Sequence, residues 1–149
     1  MKVLNRKVKK DFEILEKLEA GIVLTGSEVK SVKQGRVKLE GSFVKFTNYS
    51  AFLINAFIAP YKFADNTNYD PLRSRQLLLH KKEILKLKTK LKQARGLTVV
   101  PLSIYNKGHL IKVELALVRG RKKFEKKNVE KEKTIKKTIE REIKEYLRK

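Results

Sequence analysis

The sequence predicts a mainly β protein with short helices: a small, closed antiparallel barrel of five or six strands, followed by a basic tail. Three observations lead to this prediction. Within the predicted strand at 110–118, Ile111, Val113, Leu115 and Leu117 alternate with Lys112 and Glu114, as a strand with one buried face does. Residues 47–50 form a turn-rich tetrapeptide between two apolar runs, which is typical of a hairpin. One clear helix comes late in the order, and closing the sheet would remove its exposed edges.

The N-terminal segments each leave two alternatives open. Residues 5–10 are a short basic arm, for which a solvated terminus and a phosphate contact are equal alternatives. Residues 11–24 alternate unevenly, and Gly21 before a β-branched pair indicates a strand with a bend. A helix competes over residues 11–18, and periodicity does not decide between the two.

The middle of the chain combines a capped helix with a hairpin. Thr25 and Glu28 have the spacing of a capping box, and Gly35 is placed to end a short helix. The hairpin strands are predicted at residues 37–46 and 51–59.

The part of the chain from residue 61 to residue 118 is predicted to contain a loop, a helix and two strands. Residues 61–75 are rich in turn formers and indicate a loop. A run of leucines then enters a helix over residues 80–95, with Ile84, Leu87 and Leu91 as its buried face. Strands at 97–105 and 110–118 follow, and Pro101 suits an edge or a bulge.

The charge of the chain points to an anionic partner. The formal net charge is +21 over 149 residues, which implies RNA, DNA or an anionic membrane. No apolar run approaches the roughly 18–20 residues of a spanning helix, and the N-terminus lacks the apolar core of a secretory signal. There are no cysteines, so we expect a cytoplasmic protein without disulfides.

The last thirty-one residues are the most basic part. Residues 119–149 contain 14 Lys/Arg against 6 Glu. Four apolar side chains recur there at four-residue steps, on one side of a helix: Ile135, Ile139, Ile143 and Leu147. So narrow a stripe buries too little to offset the ordering of the chain in water. We divide the chain into a body at 1–120 and a tail at 121–149 that becomes helical only with a partner.

Sites for catalysis or cofactors are not expected. The phosphate-binding glycine loop, the GxSxG and HExxH motifs and a nucleophilic cysteine are all absent from the sequence. The acidic residues most simply balance charge on a basic surface, and the two histidines stand apart in the sequence. We therefore expect neither an enzyme nor a metal or cofactor site.

Eight segments, taken together, carry a family resemblance. They are NRK at 5–7, EAGIVL at 19–24, GSEVKS at 26–31, QGR at 34–36, PY at 60–61, DPLRSRQLLLH at 70–80, GLTVVPL at 96–102 and KVELALVRG at 112–120. Their order, spacing and joint presence resemble the bacterial SsrA-binding protein (small protein B) family. The resemblance implies an OB-like barrel that binds the tRNA-like domain of tmRNA and delivers it to stalled ribosomes. It also implies that the tail enters the empty decoding centre of the small subunit and the mRNA channel.

The predicted site combines the resemblance with the basic clusters. Glu19, Leu78 and His80 match family positions tied to tmRNA binding. The full set of predicted tmRNA-binding residues is Asn5, Arg6, Lys7, Glu19, Lys30, Arg36, Arg73, Arg75, Leu78, His80, Arg119, Gly120, Arg121, Lys122 and Lys123. The predicted ribosome-contacting residues of the tail are Phe124, Glu125, Lys126 and Lys127.

Two features of the tail depart from the family pattern. The Asp-Lys-Arg triplet of the family reads Glu125-Lys126-Lys127, so the planar arginine fork is lost. Residues 128–133 hold about four extra residues, close to one helical turn of about 3.6 residues. No contacts are therefore assigned beyond Lys127.

Two other functions compete with the tmRNA partner. One is a basic OB-type ribosomal or ribosome-assembly protein that binds rRNA permanently. The other is an RNA-modifying enzyme, against which the lack of a convergent acid–base or metal set argues.

Overall fold

The computed structural model describes residues 1–120, and the predicted tail at 121–149 lies outside them, together with every predicted contact from Arg121 onward. The described chain is mainly antiparallel β with three helices, which confirms that part of the prediction. The strands are β1 (Lys2–Leu4), β2 (Phe12–Ile22), β3 (Val37–Lys38), β4 (Phe43–Phe46), β5 (Ala51–Ile54), β6 (Phe57–Ile58), β7 (Arg75–Leu78), β8 (Leu97–Lys107) and β9 (Leu110–Gly120). The helices are α1 (Val8–Asp11), α2 (Gly26–Lys33) and α3 (Lys81–Gln93).

Seven strands form one antiparallel sheet in the order β1-β8-β9-β2-β7-β5-β4, and β3 and β6 pair separately. The three long strands, β8, β9 and β2, make its centre. Within the described residues no ladder joins β1 to β4, although β4 packs against β8. In this range, no helix has both the length and the apolar character needed to cross a membrane.

The core lies on the inner face of this sheet. Val113, Leu115 and Leu117 of β9 are buried, as their alternation predicted. Helix α3 buries Ile84 and Leu87 and leaves Leu91 half-buried, which confirms its predicted face. The remaining buried apolar side chains of this core come from α2, from each of the strands β2 to β9, and from Leu39 and Ala56 in the connections.

Local signals located several boundaries correctly. Residues 11–18 lie almost entirely in strand β2, which settles the strand-or-helix alternative. The Thr25 side chain accepts from the Glu28 N–H at 3.2 Å, and the Thr25 N–H donates to Glu28 Oε1 at 3.0 Å. These two bonds are the predicted capping box. Strand β8 is irregular between Pro101 and Ser103, as a proline within a strand suggests.

Other boundaries were wrong, each for a local reason. The predicted strand at 37–46 is divided into β3 and β4 at Gly41, which has a φ of +79°. The strand at 51–59 is divided at Asn55, which has a φ of +62°, because an extended strand does not continue through left-handed backbone.

The leucine run leads into helix α3, as predicted, but from a strand that was not predicted. Leu77, which is buried, and Leu78, which is exposed, belong to β7, and Leu79 follows that strand. Nor is the basic arm at residues 5–10 simply solvated: it follows β1, which pairs with β8, and it includes most of the short helix α1, whose Val8 is buried.

Candidate nucleic-acid interface

A surface cavity of about 420 Å³ lies where β2, β7 and the start of α3 meet. Glu19, Leu78 and His80, the three residues singled out by the family resemblance, all line it. They come from segments about sixty residues apart in the sequence, and the pairing of β2 with β7 brings them together. The cavity is therefore the candidate site.

Leu78 is an apolar side chain on the outer surface of this site. Strand β7 alternates buried and exposed residues, so Leu78 points away from the core and is 57% exposed. It pairs directly with Gly21 of β2. A Cβ atom at Gly21 would lie 3.2 Å from the Cβ of Leu78, closer than side chains ordinarily approach. The glycine therefore leaves the space that Leu78 occupies.

We expect the substitution Gly21→Ala to weaken RNA binding by about two- to tenfold, because the added methyl group pushes Leu78 out of its position. The change in stability should stay below about 1.5 kcal/mol, since the neighbouring leucine is exposed and can move. A filter-binding titration and a thermal melt measure the two effects. Gly26→Ala is the matched control, because a Cβ there meets no atom within 4 Å. Unchanged RNA affinity in Gly21→Ala would show that RNA binding does not depend on the placement of the Leu78 side chain.

His80 stands at the N-terminus of α3 with most of its side chain in solvent. Its backbone N–H donates to Glu83 Oε1 at 3.4 Å, and its imidazole Nε2 lies 3.8 Å from the same oxygen. The side chain is 90% exposed. The imidazole can therefore stack on a base or hydrogen-bond to it, and the helix N-terminus beside it favours negative charge.

Glu19 is an acid whose two oxygens both have partners on β8. The Tyr105 hydroxyl donates to Oε2, and Lys107 Nζ lies 3.6 Å from Oε1. The hydrogen bond from Tyr105, aided by Lys107 and Lys112, holds the pKa of the Glu19 carboxyl below its usual range. Burial and the Glu19 carboxylate together raise the pKa of Tyr105 to about 12. Glu19 is thus a carboxylate whose charged form is stabilised by its neighbours within the site.

Sequence reasoning did not identify Tyr105, Lys107 or Lys112 as site residues. Their only signal was that Tyr105 and Lys112 fall opposite each other once β8 and β9 are paired as a hairpin. The reach of Glu19 across β9 to Tyr105 requires the three-strand order, which pattern alone does not provide.

Arg75 lies elsewhere than predicted. It is completely buried, and its Nε donates to Glu28 Oε2 at 2.8 Å. Its Nη1 donates to the Ala56 carbonyl at 2.5 Å and its Nη2 to the Pro71 carbonyl at 3.0 Å. A guanidinium so enclosed has no surface for a phosphate, and we leave Arg75 out of the proposed RNA contacts.

Arg73 shares the same carboxylate but remains partly accessible. Its Nη2 hydrogen-bonds to Glu28 Oε1, while 40% of its side chain is exposed. Burial opposes the charge on Glu28, but the Thr25 N–H and the two guanidiniums outweigh it. The pKa of the Glu28 carboxyl is therefore lowered.

The N-terminal residues of the predicted set lie away from the cavity. Asn5 is half-buried, and its Nδ2 donates to the carbonyls of Leu39 at 3.3 Å and Pro101 at 3.0 Å. Arg6 is exposed, and Lys7 pairs with Glu40 at 3.7 Å.

The other basic positions of the predicted set are exposed. Lys30 lies over the Tyr61 ring at 5.2 Å. Arg36, which lies just before β3, is exposed. Arg119 and Gly120, which end β9, are exposed as well. Residues 1–120 contain no group of three or more His, Cys, Asp or Glu that could hold a metal ion.

Comparisons with known proteins agree on one family. The family model described as SmpB protein matches residues 2–145. The SsrA-binding protein of Sulfurihydrogenibium sp. (strain YO3AOP1) is 54% identical over 140 residues, which cover 94% of this chain and 91% of that protein. The SsrA-binding protein of Aquifex aeolicus (strain VF5) is 48% identical over 141 residues, covering 94% and 89%.

A solved structure supports the same assignment. It is described as "tmRNA-SmpB: a journey to the center of the bacterial ribosome" and is 48% identical to this chain. The match has a TM-score of 0.68 and covers 82% of this chain and 85% of that one. The sequence matches extend over nearly the whole chain, and the fold agrees with them. The chain therefore belongs to the SmpB protein family.

Proposed function

We propose that this protein binds the tRNA-like domain of tmRNA and delivers it to stalled ribosomes for trans-translation. Family membership supports this function, and so does the solved relative described with tmRNA and the ribosome. The single observation that supports a specific location for the RNA-binding site is the cavity lined by Glu19, Leu78 and His80. The protein acts as an adaptor that presents an RNA, and catalysis is not part of the proposal.

The chemistry of the cavity suits a folded RNA. The elbow of a tRNA-like domain presents phosphates, 2′-hydroxyls and a few unstacked loop bases. Leu78 offers an exposed apolar contact and His80 a polar ring, both suited to an unstacked base. The exposed cations of the predicted set supply the phosphate contacts: Arg6, Lys7, Lys30, Arg36, Arg73 and Arg119.

The described sheet is consistent with an OB-like barrel, which we include in the proposal. Strand β4 packs against β8, and one core cluster contains Val44 of β4 together with Val99 and Ile104 of β8. In such barrels one sheet face and its adjoining loops bind nucleic acid. The cavity lies on the outer face where β2 meets β7, which is the corresponding kind of position.

The division into body and tail is the last part of the proposal. Residues 1–120 hold the RNA, and residues 121–149 enter the decoding centre and the mRNA channel of a ribosome in the cytoplasm. The support is the sequence, because a segment this rich in Lys and Arg matches a channel lined by RNA phosphates. Phe124, Glu125, Lys126 and Lys127 would make the first contacts.

We expect the purified protein to prefer the tRNA-like domain over an arbitrary duplex of equal length. If six to ten phosphates are neutralised, affinity should fall by about 10³–10⁵ between 50 and 200 mM salt. Competition binding at several salt concentrations measures both quantities. Equal affinity for the two RNAs at every salt concentration would overturn the proposal. Stoichiometric rRNA in place of tmRNA on the purified protein would instead favour a ribosomal protein.

A further inference from the structure

The outer face of β8, β9 and β2 carries a group of polar side chains beside the cavity. Strand β9 lies between the other two, and its Lys112 pairs with Gly21 on one side and with Tyr105 on the other. Glu19 and Lys112 also line the cavity. The group is therefore continuous with the site of Leu78 and His80.

A network of contacts organises this group around Tyr105. The Tyr105 hydroxyl donates to Glu19 Oε2, and Lys107 Nζ lies 3.6 Å from Glu19 Oε1. On the other side, Lys2 Nζ lies 5.9 Å from the centre of the Tyr105 ring. Tyr105 is half-buried, while the side chain of Lys107 is 68% exposed. The phenol thus links the acid of the site to cations on β1 and β8.

The charges of this group favour a polyanion despite its acids. Lys2, Lys107 and Lys112 outnumber Glu19 and Glu114, the two acids nearest to them. A carboxylate next to RNA is unfavourable unless it is already paired, and Glu19 is paired through both oxygens. The acid then limits the freedom of Lys107, and a pre-ordered side chain loses less entropy on binding.

The Tyr105 oxygen can make a second contact, as an acceptor of a hydrogen bond from RNA. Because its hydroxyl donates to Glu19, the free lone pairs of its oxygen can accept a hydrogen bond. A 2′-hydroxyl is a donor of the right kind, and it is present along the whole backbone of an RNA.

We propose that Tyr105 is a positioning residue for Glu19 and that Tyr105, Lys107 and Lys112 extend the RNA-binding surface across β8. The partner is the sugar–phosphate backbone of the same tRNA-like domain that occupies the cavity, so this inference rests on the proposed function. In this arrangement Glu19 organises its neighbours and does not read a base.

The first test compares two substitutions in the full-length protein. Tyr105→Phe removes only the hydroxyl and should weaken binding of the tRNA-like domain by about three- to tenfold. Lys107→Ala should lower the slope of log affinity against log salt by about one, as the loss of one phosphate contact does. Tyr61→Phe and Lys38→Ala are the matched controls and should leave both quantities unchanged. Affinity and salt slope at the control level in both test variants would overturn the inference.

A double-mutant cycle separates positioning from general structural damage. If Tyr105 acts in part through Glu19, the variant Glu19→Ala with Tyr105→Phe should lose less affinity than the sum of the two single losses. Purely additive losses would contradict the positioning role. Circular-dichroism melts of the four proteins check that the fold is kept, and the conservative Tyr105→Phe change retains the buried part of the ring.

The outcome can be distinguished from a failure of the proposed function. If the unchanged protein prefers the tRNA-like domain and Leu78→Asp weakens the binding of that domain, the proposed function is supported. Control-level affinity and salt slope in both Tyr105→Phe and Lys107→Ala would then reject only the extension of the RNA-binding surface across β8. If the unchanged protein shows no preference, the proposed function fails first.

Discussion

Replacing Arg75 by methionine is expected to lower the free energy of unfolding by about 3–5 kcal/mol, the usual cost of removing one partner from a buried ion pair. Arg75 is 0% exposed and Glu28 is 1% exposed. Among the described residues, the substitution leaves the buried Glu28 carboxylate with Arg73 as its one cationic partner, beside the hydrogen bonds from the Thr25 N–H and the Tyr69 hydroxyl. It also removes the guanidinium donor to the carbonyl of Ala56 and one of the two donors to the carbonyl of Pro71, which keeps its hydrogen bond from the Ile58 N–H.

Urea denaturation followed by circular dichroism measures this change. Arg36→Met is the matched control: Arg36 is exposed, and a surface substitution of this kind changes stability by no more than about 0.5 kcal/mol. The double variant Glu28→Leu with Arg75→Met removes both buried charges and should recover part of the loss. A loss below about 1 kcal/mol in Arg75→Met would show that the buried pair does not stabilise the fold in this way.

The same pair should make the stability of the protein sensitive to acid. The pKa of the Glu28 carboxyl is lower in the folded protein than its ordinary value of about 4.3. The stabilisation is therefore complete above that ordinary value and is lost as the pH falls through the folded pKa. In Arg75→Met the charged form of Glu28 is less favoured, so this decline on acidification should be smaller than in the unchanged protein.

The consequence for function follows from where the pair lies. Arg75 is the first residue of β7, and Leu78 is the last. Glu28 belongs to α2, which follows β2, and β2 contributes Glu19 to the cavity. The buried pair thus joins β7, which carries Leu78, to the helix that directly follows β2, which carries Glu19. A destabilised pair should weaken RNA binding indirectly, without any contact between Arg75 and RNA.

Arg75 also shows which features of the site could not be predicted from the sequence. Its place among other basic residues predicted a phosphate contact, because sequence alone does not distinguish an exposed arginine from a buried one. Its partner Glu28 lies 47 residues away in the sequence, and Glu19 lies 86 residues from Tyr105. Both contacts depend on strand order, which the alternation of a single strand does not determine.

Features governed by neighbouring residues were predictable. The capping box at Thr25 follows from spacing within a few residues, and so does the alternating burial of residues 111–115 of β9. The prediction of one buried face fails for the rest of β9, because Ala116 and Val118 are buried on the other face in a second apolar cluster. The divisions at Gly41 and Asn55 were not foreseen, since apolar content continues past both positions while the backbone turns there. The cavity residues were found through the resemblance, and the structure brings Glu19, Leu78 and His80 to one place.

Deleting residues 126–149 is expected to abolish rescue of stalled ribosomes while leaving most of the affinity for the tRNA-like domain. The deletion removes ten of the 37 Lys/Arg and five of the 16 Asp/Glu, so the shortened protein keeps a net charge of +16. The body, including the cavity and its cations, is untouched. Binding of the isolated RNA needs only this surface, whereas accommodation in an empty decoding centre requires the proposed tail contacts.

The measurement is peptidyl transfer to tmRNA in a reconstituted translation reaction on truncated message, with RNA affinity determined in parallel. Ile139→Pro in the full-length chain is the matched control, because it keeps every charge but opposes the proposed helix at a cost of about 3 kcal/mol. If the tail acts as a helix, this variant should also lose most of its rescue activity. If charge alone matters, it should retain activity while the deletion does not. Normal peptidyl transfer by the deletion variant would contradict the division of labour, since the body would then suffice for both steps.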